Sequence, residues 1–265
     1  MAVDWSSAVL SEVEVSPSTN EIPGSHLVCI FIRHYYFIAL INFIGMILSR
    51  LVFFSVLLFC FSNEILGQDT IYLKNPSFED IPRAGTGSTP PIKGWYDCGI
   101  SRFPSETPPD IHPVSTPAWG VTTKPFDGQT YLGLVVRDND SWESVSQELK
   151  TELIAEKCYS FSTFLCKSSP YQSRTKKSSD KLENFTTPAV FLIWGGTEFC
   201  DKSELLAESA PIDHAEWKNY SFEFWPSSDY KYITLEAFYK TPVPEAYNGH
   251  ILIDNLSPII EISCD

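Results

Sequence analysis

The chain has 265 residues, of which 43% are hydrophobic, and its formal net charge at pH 7 is −14. An acidic surface of this size argues against nucleic acids and anionic membrane surfaces as partners, and it is compatible with metal ions or neutral ligands such as glycans. Without residues 1–67 the chain keeps 28 acidic and 17 basic residues, a net charge of about −11. The remaining stretch of about 198 residues is long enough for one domain with a substantial core.

Residues 46–67 have the anatomy of a secretory signal peptide. A short basic segment ending at Arg50 precedes an apolar run over residues 51–61, and a more polar stretch ends at Gly67. We therefore expect cleavage after Gly67 and a product that is secreted, periplasmic or exposed at the cell surface. The alternative is a membrane anchor over residues 35–61, which would bury Arg50 in the bilayer at a cost of at least ~2.5 kcal/mol.

Residues 1–45 have no role in this scheme, because a signal peptide belongs at the N-terminus of the translated chain. We expect translation to begin at Met46, which makes residues 1–45 a doubtful leader. N-terminal sequencing of the native protein tests this expectation. Any peptide recovered from residues 1–45 contradicts it.

Five cysteines follow residue 67, and in an exported protein we expect disulfides with one thiol left over. Cys158 and Cys166 cannot pair with each other, because eight residues of one strand separate them by ~26 Å. The spacing shows no CxxC or Cys/His pattern of a zinc site. The other pairings stay open among Cys98, Cys158, Cys166, Cys200 and Cys264.

From residue 69 on, short segments alternate between apolar and polar residues and are separated by turn residues. Eight to ten such strands predict an all-β fold, an antiparallel β-sandwich that forms a single domain over residues 68–265. We expect the first strand to lie beside residues 251–257 and to close the sandwich. The long loop 97–128 is expected to be functional or locally stapled. The clearest strands are 131–136, 142–149, 157–166, 188–195, 217–225, 230–239 and 250–255.

The stretch Asn75-Pro76-Ser77-Phe78-Glu79, followed by Gly94-Trp95, resembles the jelly-roll carbohydrate-binding modules of the galactose-binding-like class. Val145-Ser146-Gln147-Glu148-Leu149 and Ile253-Asp254-Asn255-Leu256-Ser257 continue the resemblance, which covers residues 70–260. More specifically, the chain is similar to N-terminal modules of Bacteroidetes-type cell-surface proteins that precede a domain of the outer-membrane-protein-A type. The resemblance implies a jelly-roll sandwich that binds a glycan or another cell-surface ligand.

The resemblance also implies a structural calcium ion between the first and last strands, at positions matching Glu79 and Asp254. Carboxylate oxygens are suitable ligands for such a hard cation. The alternative is that both side chains cap loops by accepting hydrogen bonds from backbone N–H groups.

Sandwich modules commonly bind sugars through exposed aromatic rings with polar side chains beside them. The alternative for each ring is packing in the core, because aromatic side chains contribute much of the buried area in sandwich interiors. The candidate ligand-binding residues are Trp119, Trp142, Trp225, Tyr232 and Tyr247, with Glu236 as a polar partner.

The sequence contains no nucleophile elbow, zinc-binding helix or phosphate-binding glycine loop. We therefore expect the chain not to be an enzyme but an exported binding module. The alternative function is a structural or adhesive module that contacts another cell-surface protein without a sugar site.

Overall fold

A computed structural model describes residues 45, 46, 50 and 69–264, apart from 86–89, 100–107, 115–117, 175–180 and 243–244. The predicted leader and signal peptide fall almost entirely outside these residues. Within them, no helix is both long and apolar enough to cross a membrane. Gly67–Asp265 is one compact unit and is described by itself.

Nearly all of the regular secondary structure described in this unit is β-strand, as the alternating pattern predicted. A single 3₁₀ turn, Ala118–Gly120, interrupts the strands in the described part of the unit. The strands there are Thr70–Ile71 (β1), Tyr96–Asp97 (β2), Asp110–His112 (β3), Tyr131–Arg137 (β4), Ser141–Trp142 (β5), Ser144–Leu153 (β6), Cys158–Cys166 (β7), Gln172–Arg174 (β8), Leu182–Asn184 (β9), Thr187–Gly196 (β10), Glu204–Glu208 (β11), Lys218–Phe224 (β12), Tyr230–Tyr239 (β13), Gly249–Asp254 (β14) and Ile259–Ile262 (β15).

The strands form two layers, and the prediction of an antiparallel sandwich is confirmed. In the first sheet, β12 pairs with one edge of β7, and β15 and β14 pair end to end with its other edge. β1 then flanks β15, and β4 flanks β14 and carries β3 and β5. The second sheet has the order β11–β10–β13–β6–β2. A short parallel pairing of β10 with β14 joins the two sheets.

The core lies between the sheets and consists of every second side chain of the facing strands. Burying a side chain of this kind contributes about 1.5–3 kcal/mol relative to leaving it exposed. Among the buried core residues are Val145, Leu149, Phe161, Leu165, Phe191, Ile193, Ile233, Leu235, Ile251 and Ile253.

The Asn75–Glu79 stretch is a tight turn rather than a strand. Asn75 and Phe78 have φ angles of 49° and 50°, in the left-handed region. The Asn75 side chain holds this turn, because its Oδ1 accepts the Glu79 N–H at 2.7 Å and its Nδ2 donates to the Lys93 carbonyl at 2.7 Å. Trp95 packs on Phe78 with ring centroids 5.3 Å apart and donates its Nε1–H to the Asn75 carbonyl. The two motifs, residues 75–79 and Gly94-Trp95, therefore hold each other in place and stabilise the fold.

The expectation that the first strand lies beside residues 251–257 is wrong as a strand pairing. β1 pairs with β15, with Thr70 opposite Ile260. The two predicted neighbours meet through one hydrogen bond, from the Leu256 N–H to the Pro76 carbonyl at 3.0 Å. All residues of β14 are buried, and a continuously buried strand belongs inside a sheet with partners on both edges.

Two disulfides close long loops of the chain, Cys98–Cys200 and Cys158–Cys264, with sequence separations of 102 and 106 residues. The remaining thiol, Cys166, is buried. This confirms the expectation of disulfides with one thiol left over. In the chain-entropy description, a closed loop of about 100 residues stabilises the fold by about 4 to 5 kcal/mol.

His250 is fully buried and both of its ring nitrogens have partners. Nδ1–H donates to the Phe185 carbonyl at 2.5 Å, and Nε2 accepts the Ser168 N–H at 2.7 Å. Burial lowers the pKa of His250 to about 4, because desolvation disfavours the imidazolium. The folded protein therefore keeps this ring neutral at pH values where the unfolded chain protonates it.

We expect His250 to lower the stability of the protein as the pH falls from 7 to about 4.5. The unfolded state takes up a proton there and the folded state does not, which costs roughly 2 to 3 kcal/mol of unfolding free energy. Urea unfolding at both pH values should show a smaller acid loss for His250→Gln than for the unmodified protein. The nearby Asp110, His112 and Lys167 are the same in both proteins, so an equal loss contradicts the assignment.

Candidate functional site

The outer face of the second sheet carries polar and aromatic side chains in register. Paired residues of antiparallel strands point to the same face, and Val145, Ile193 and Leu235 point into the core. The alternate positions therefore lie on the outer face. One row across the sheet consists of Trp194, Thr234, Ser146 and Tyr96. The row on one side of it consists of Leu192, Glu236 and Ser144, and the row on the other side consists of Tyr232 and Glu148.

Three aromatic rings meet on this outer face, and we call them the aromatic cluster: Tyr96, Phe199 and Tyr232. Tyr96 and Phe199 are stacked with centroids 5.0 Å apart, and Phe199 meets Tyr232 edge-on at 4.8 Å. Tyr96 is 42% exposed and Phe199 43% exposed. Phe199 belongs to residues 197–203, the covering loop, which follows β10. The cluster is therefore an open aromatic surface formed partly by the sheet and partly by this loop.

The covering loop is held in place by a covalent bond and by its own hydrogen bonds. Cys200 is bonded to Cys98, which directly follows β2. The Asp201 carboxylate accepts the Ser203 hydroxyl at 2.6 Å and the Thr197 N–H at 2.9 Å. The bond from Ser203, followed by that from Thr197, lowers the pKa of Asp201. The covering loop is thus held by the hydrogen bonds of Asp201 and by the disulfide at Cys200.

A buried ion pair fastens the covering loop to the sheet. Lys202 pairs with Glu236, which is 2% exposed although it lies on an outer face. The Trp142 Nε1–H donates to Glu236 Oε2 at 3.0 Å, and the Lys202 ammonium lies 5.7 Å from the centroid of the Trp142 ring. Beside it, the Thr234 hydroxyl donates to Ser146 Oγ at 3.0 Å. Lys202, Glu236, Trp142, Thr234 and Ser146 thus all have polar partners below the loop, whereas the Trp194 Nε1–H on the same face is buried without one among the described residues.

The structure brings together three of the six predicted ligand residues. Tyr232 and Glu236 lie on the outer face of the second sheet, although Glu236 is used in the buried pair. Trp142 lies on β5 of the first sheet and reaches this face through its hydrogen bond to Glu236. Trp225 is 67% exposed, as expected of a binding ring. It directly follows Phe224 at the end of β12 in the first sheet, whereas Tyr232 and Glu236 lie on the second.

Trp119 lies apart from these residues and covers a buried polar cluster. Its ring stacks on Tyr171 at 6.5 Å. The Tyr171 hydroxyl donates to Asp110, and His112 Nε2 lies 3.8 Å from Asp110 Oδ2. Burial acts to raise the pKa of Asp110, but the His112 side chain and the Tyr171 hydroxyl outweigh it and lower the pKa. Trp119 therefore contributes to a second, smaller core.

Tyr247 lines an open cavity of about 520 Å³ at another edge of the sandwich. Its hydroxyl accepts the Lys240 N–H at 2.6 Å and donates to the Pro188 carbonyl at 2.8 Å. The ring is thus a fixed wall of the cavity. The other lining residues are Thr187, Pro188, Pro211, Asp213, Lys240 and Pro242.

Glu79 and Asp254, the predicted calcium ligands, both hold one loop. Asp254 Oδ2 accepts the N–H groups of Phe126 and Asp127 at 2.8 and 3.0 Å, and Glu79 Oε1 accepts the Gln129 N–H at 2.7 Å. Burial raises the pKa of Asp254 to about 6 against these bonds. Over the described ranges, no group of three or more His, Cys, Asp or Glu side chains is placed to hold a metal ion.

Sequence reasoning missed Tyr96, Phe199 and Lys202. Tyr96 had a local signal, because alternation places it opposite the buried Trp95. Phe199 and Lys202 had none, since their position over the sheet depends on the partner of Cys200. That partner was not readable from spacing.

No family model and no curated protein matches this chain. Solved structures do match it, and the likeness concerns the fold. A Stig cyclase from Fischerella sp. TAU is 16% identical with a TM-score of 0.47, covering 75% of this chain and 100% of the cyclase. The CBM22-1–GH10 modules of a Clostridium thermocellum xylanase, complexed with xylohexaose, are 13% identical with a TM-score of 0.38, covering 74% and 29%. The module TmCBM61, in complex with β-1,4-galactotriose, is 15% identical with a TM-score of 0.32, covering 73% and 100%.

These matches correct one expectation and leave another as a prediction. The expectation that the chain is not an enzyme is wrong as stated, because cyclases stand among the proteins that match its fold. Carbohydrate-binding modules are also among the matches, whereas the finer resemblance to Bacteroidetes cell-surface modules stays a prediction.

We expect Lys202→Met to lower the unfolding free energy by about 3 to 5 kcal/mol, because it leaves the buried Glu236 carboxylate without its ammonium partner. Adding Glu236→Gln to this variant should recover much of the loss. Both are measured by denaturant unfolding.

The matched control is Lys231→Met, which removes the ammonium from the solvent-exposed pair with Glu148, 2.7 Å apart. Exposed pairs contribute little, so the change should be much smaller. Equal effects of the two lysine variants would show that the Lys202–Glu236 pair is not a fastening point.

Proposed function

We propose that the outer face of the second sheet binds a glycan through the aromatic cluster. The observation that carries this proposal is the open Tyr96–Phe199 stack, each ring more than two-fifths exposed. Aromatic faces of this kind offer a large apolar surface, which suits the C–H face of a sugar ring. The disulfide and the buried ion pair hold Phe199 in place, so little order has to be gained on binding.

Polar groups beside the cluster can serve the hydroxyl groups of a sugar. Glu148 lies opposite Tyr232 on the neighbouring strand and pairs with Lys231. The two side chains are 37% and 48% exposed, so their donors and acceptors can be reached from solvent. In ligand sites, an apolar or aromatic surface supplies most of the contact area, and a few polar groups beside it fix the orientation of the ligand.

Affinity gel electrophoresis and calorimetry with soluble xylans, glucans and galactans and their oligosaccharides test the proposal. We expect binding to at least one of them and a loss of about tenfold in affinity for Phe199→Ala, since a ring contact is worth about 0.5–1.5 kcal/mol beyond its buried area.

Trp225→Ala is the matched control, because it removes an exposed ring from the other sheet. It should bind as the unmodified protein does. A protein that binds none of these glycans, or an equal loss in both variants, contradicts the assignment. The first result favours the alternative of contact with another cell-surface protein through the same rings.

Export of the protein belongs to the same proposal. Disulfides persist in oxidising compartments, and Cys98–Cys200 and Cys158–Cys264 are both formed. The apolar segment before residue 68 has the pattern of a signal peptide. A secreted or cell-surface location would also bring the aromatic cluster into contact with extracellular glycans.

Calcium binding by Glu79 and Asp254 is a separate proposal that comes from the family resemblance. Their carboxylates are suitable donors for calcium in kind, while the backbone N–H groups they accept favour the capping role. The resemblance predicts that a chelator lowers the Tm and that added calcium restores it, because an ion bound only to the folded state stabilises it. An unchanged Tm leaves capping as the role of both residues.

A further inference from the structure

Four Asn-x-Ser/Thr triplets without proline at the middle position occur after residue 67. Such a triplet is an acceptor for an N-linked glycan when the chain enters a secretory pathway. A glycan is bulky and hydrated, so the folded protein tolerates it only where the asparagine side chain faces solvent. The four asparagines are Asn139, Asn184, Asn219 and Asn255. The structure separates them into two pairs.

We propose that Asn219 and Asn184 are N-glycosylated and that the other two are not. Asn219 lies on β12, which pairs with β7 at the edge of the first sheet, and its side chain is exposed. Its Nδ2 lies 3.4 Å from the Ser221 hydroxyl, so the two functional groups of the triplet are neighbours on one face of the strand. The attachment point therefore projects into solvent.

The surface beside Asn219 fits the first sugar of a glycan. Asn219 is opposite Phe164 in the register of β12 and β7. The Phe164 ring stacks on Phe126 with centroids 3.5 Å apart, and Phe126 is 44% exposed. Directly opposite residues on one face are in contact distance, so a sugar on Asn219 can cover part of this apolar pair.

Asn184 ends β9 and is also exposed. Its Oδ1 accepts the Tyr171 N–H at 3.0 Å. Glycosylation replaces a hydrogen on Nδ2 and leaves Oδ1 as an acceptor, so this contact survives the modification. The hairpin of β8 and β9 can therefore carry a glycan without losing its bond to the smaller core.

Asn139 and Asn255 are both half-buried. Asn139 Oδ1 accepts the Ser141 hydroxyl at 2.7 Å, which engages the hydroxyl of its own triplet inside the turn between β4 and β5. Asn255 has a φ of 48° and directly follows the buried Asp254, to whose Oδ1 it donates its N–H. Because both side chains are half-buried, a glycan on either Nδ2 would have to displace the protein surface that covers it.

The transfer is chemically balanced with a lipid-linked oligosaccharyl pyrophosphate as donor. Asn219 Nδ2 forms a bond to the anomeric carbon of the first sugar, and the bond from that carbon to the pyrophosphate oxygen breaks. The amide loses one proton, and the lipid pyrophosphate leaves with the electron pair. The host transferase carries out the step, and no oxidant or reductant is needed.

Translation of the full chain with microsomal membranes tests the proposal. We expect two mobility shifts that disappear after peptide-N-glycosidase F, and deglycosylation in heavy-oxygen water should label residues 219 and 184. Ser221→Ala should remove the first shift and Thr186→Ala the second. Ser221→Thr keeps the triplet and should restore the first shift, which separates loss of the acceptor from misfolding.

Absence of a glycan on Asn219, or a glycan on Asn139 or Asn255, overturns the proposal. The result does not depend on the sugar-binding function, because Asn219 lies on the first sheet and Asn184 on the β8–β9 pair, whereas the aromatic cluster is on the second sheet.

Discussion

The Cys98–Cys200 disulfide is the constraint on which the candidate site depends. Cys98 follows β2 at one edge of the second sheet, whereas the covering loop leaves β10, three strands away. At the usual strand spacing this is about 14 Å, so the loop has to cross the outer face above β13 and β6. That crossing explains why Thr234 and Glu236 are buried on a face that solvent would otherwise reach.

A buried carboxylate on such a face then specifies where the loop rests. Desolvating Glu236 is costly unless a cation meets it, and one placement of the loop brings Lys202 to it beside Trp142. The same placement sets Phe199 between Tyr96 and Tyr232. The Lys202–Glu236 ion pair and the Cys98–Cys200 disulfide thus position the loop, and the stacking in the aromatic cluster follows from that position.

Local periodicity predicted the strands and the direction of their side chains, because alternation is a property of consecutive residues. Tyr232 and Glu236 are separated by an even number of residues and lie on one face of β13, as alternation requires. Trp225, a candidate binding ring, is 67% exposed. Local periodicity could not tell which sheet each strand joins, so Trp225 was grouped with residues of the other layer. Phe199 and Lys202 were beyond reach, since their places depend on a bond between cysteines 102 residues apart.

The pairing of β1 with β15 has a mechanical consequence. The Glu261 N–H donates to the Asp69 carbonyl at 3.0 Å, so the two ends of the sandwich lie side by side. Tension applied through both ends would peel β1 away one hydrogen bond at a time. The C-terminal end would stay attached, because the disulfide links Cys264 to Cys158 at the start of β7, an inner strand of the first sheet. Under such tension the domain would therefore lose β1 first and keep its C-terminal strand in place.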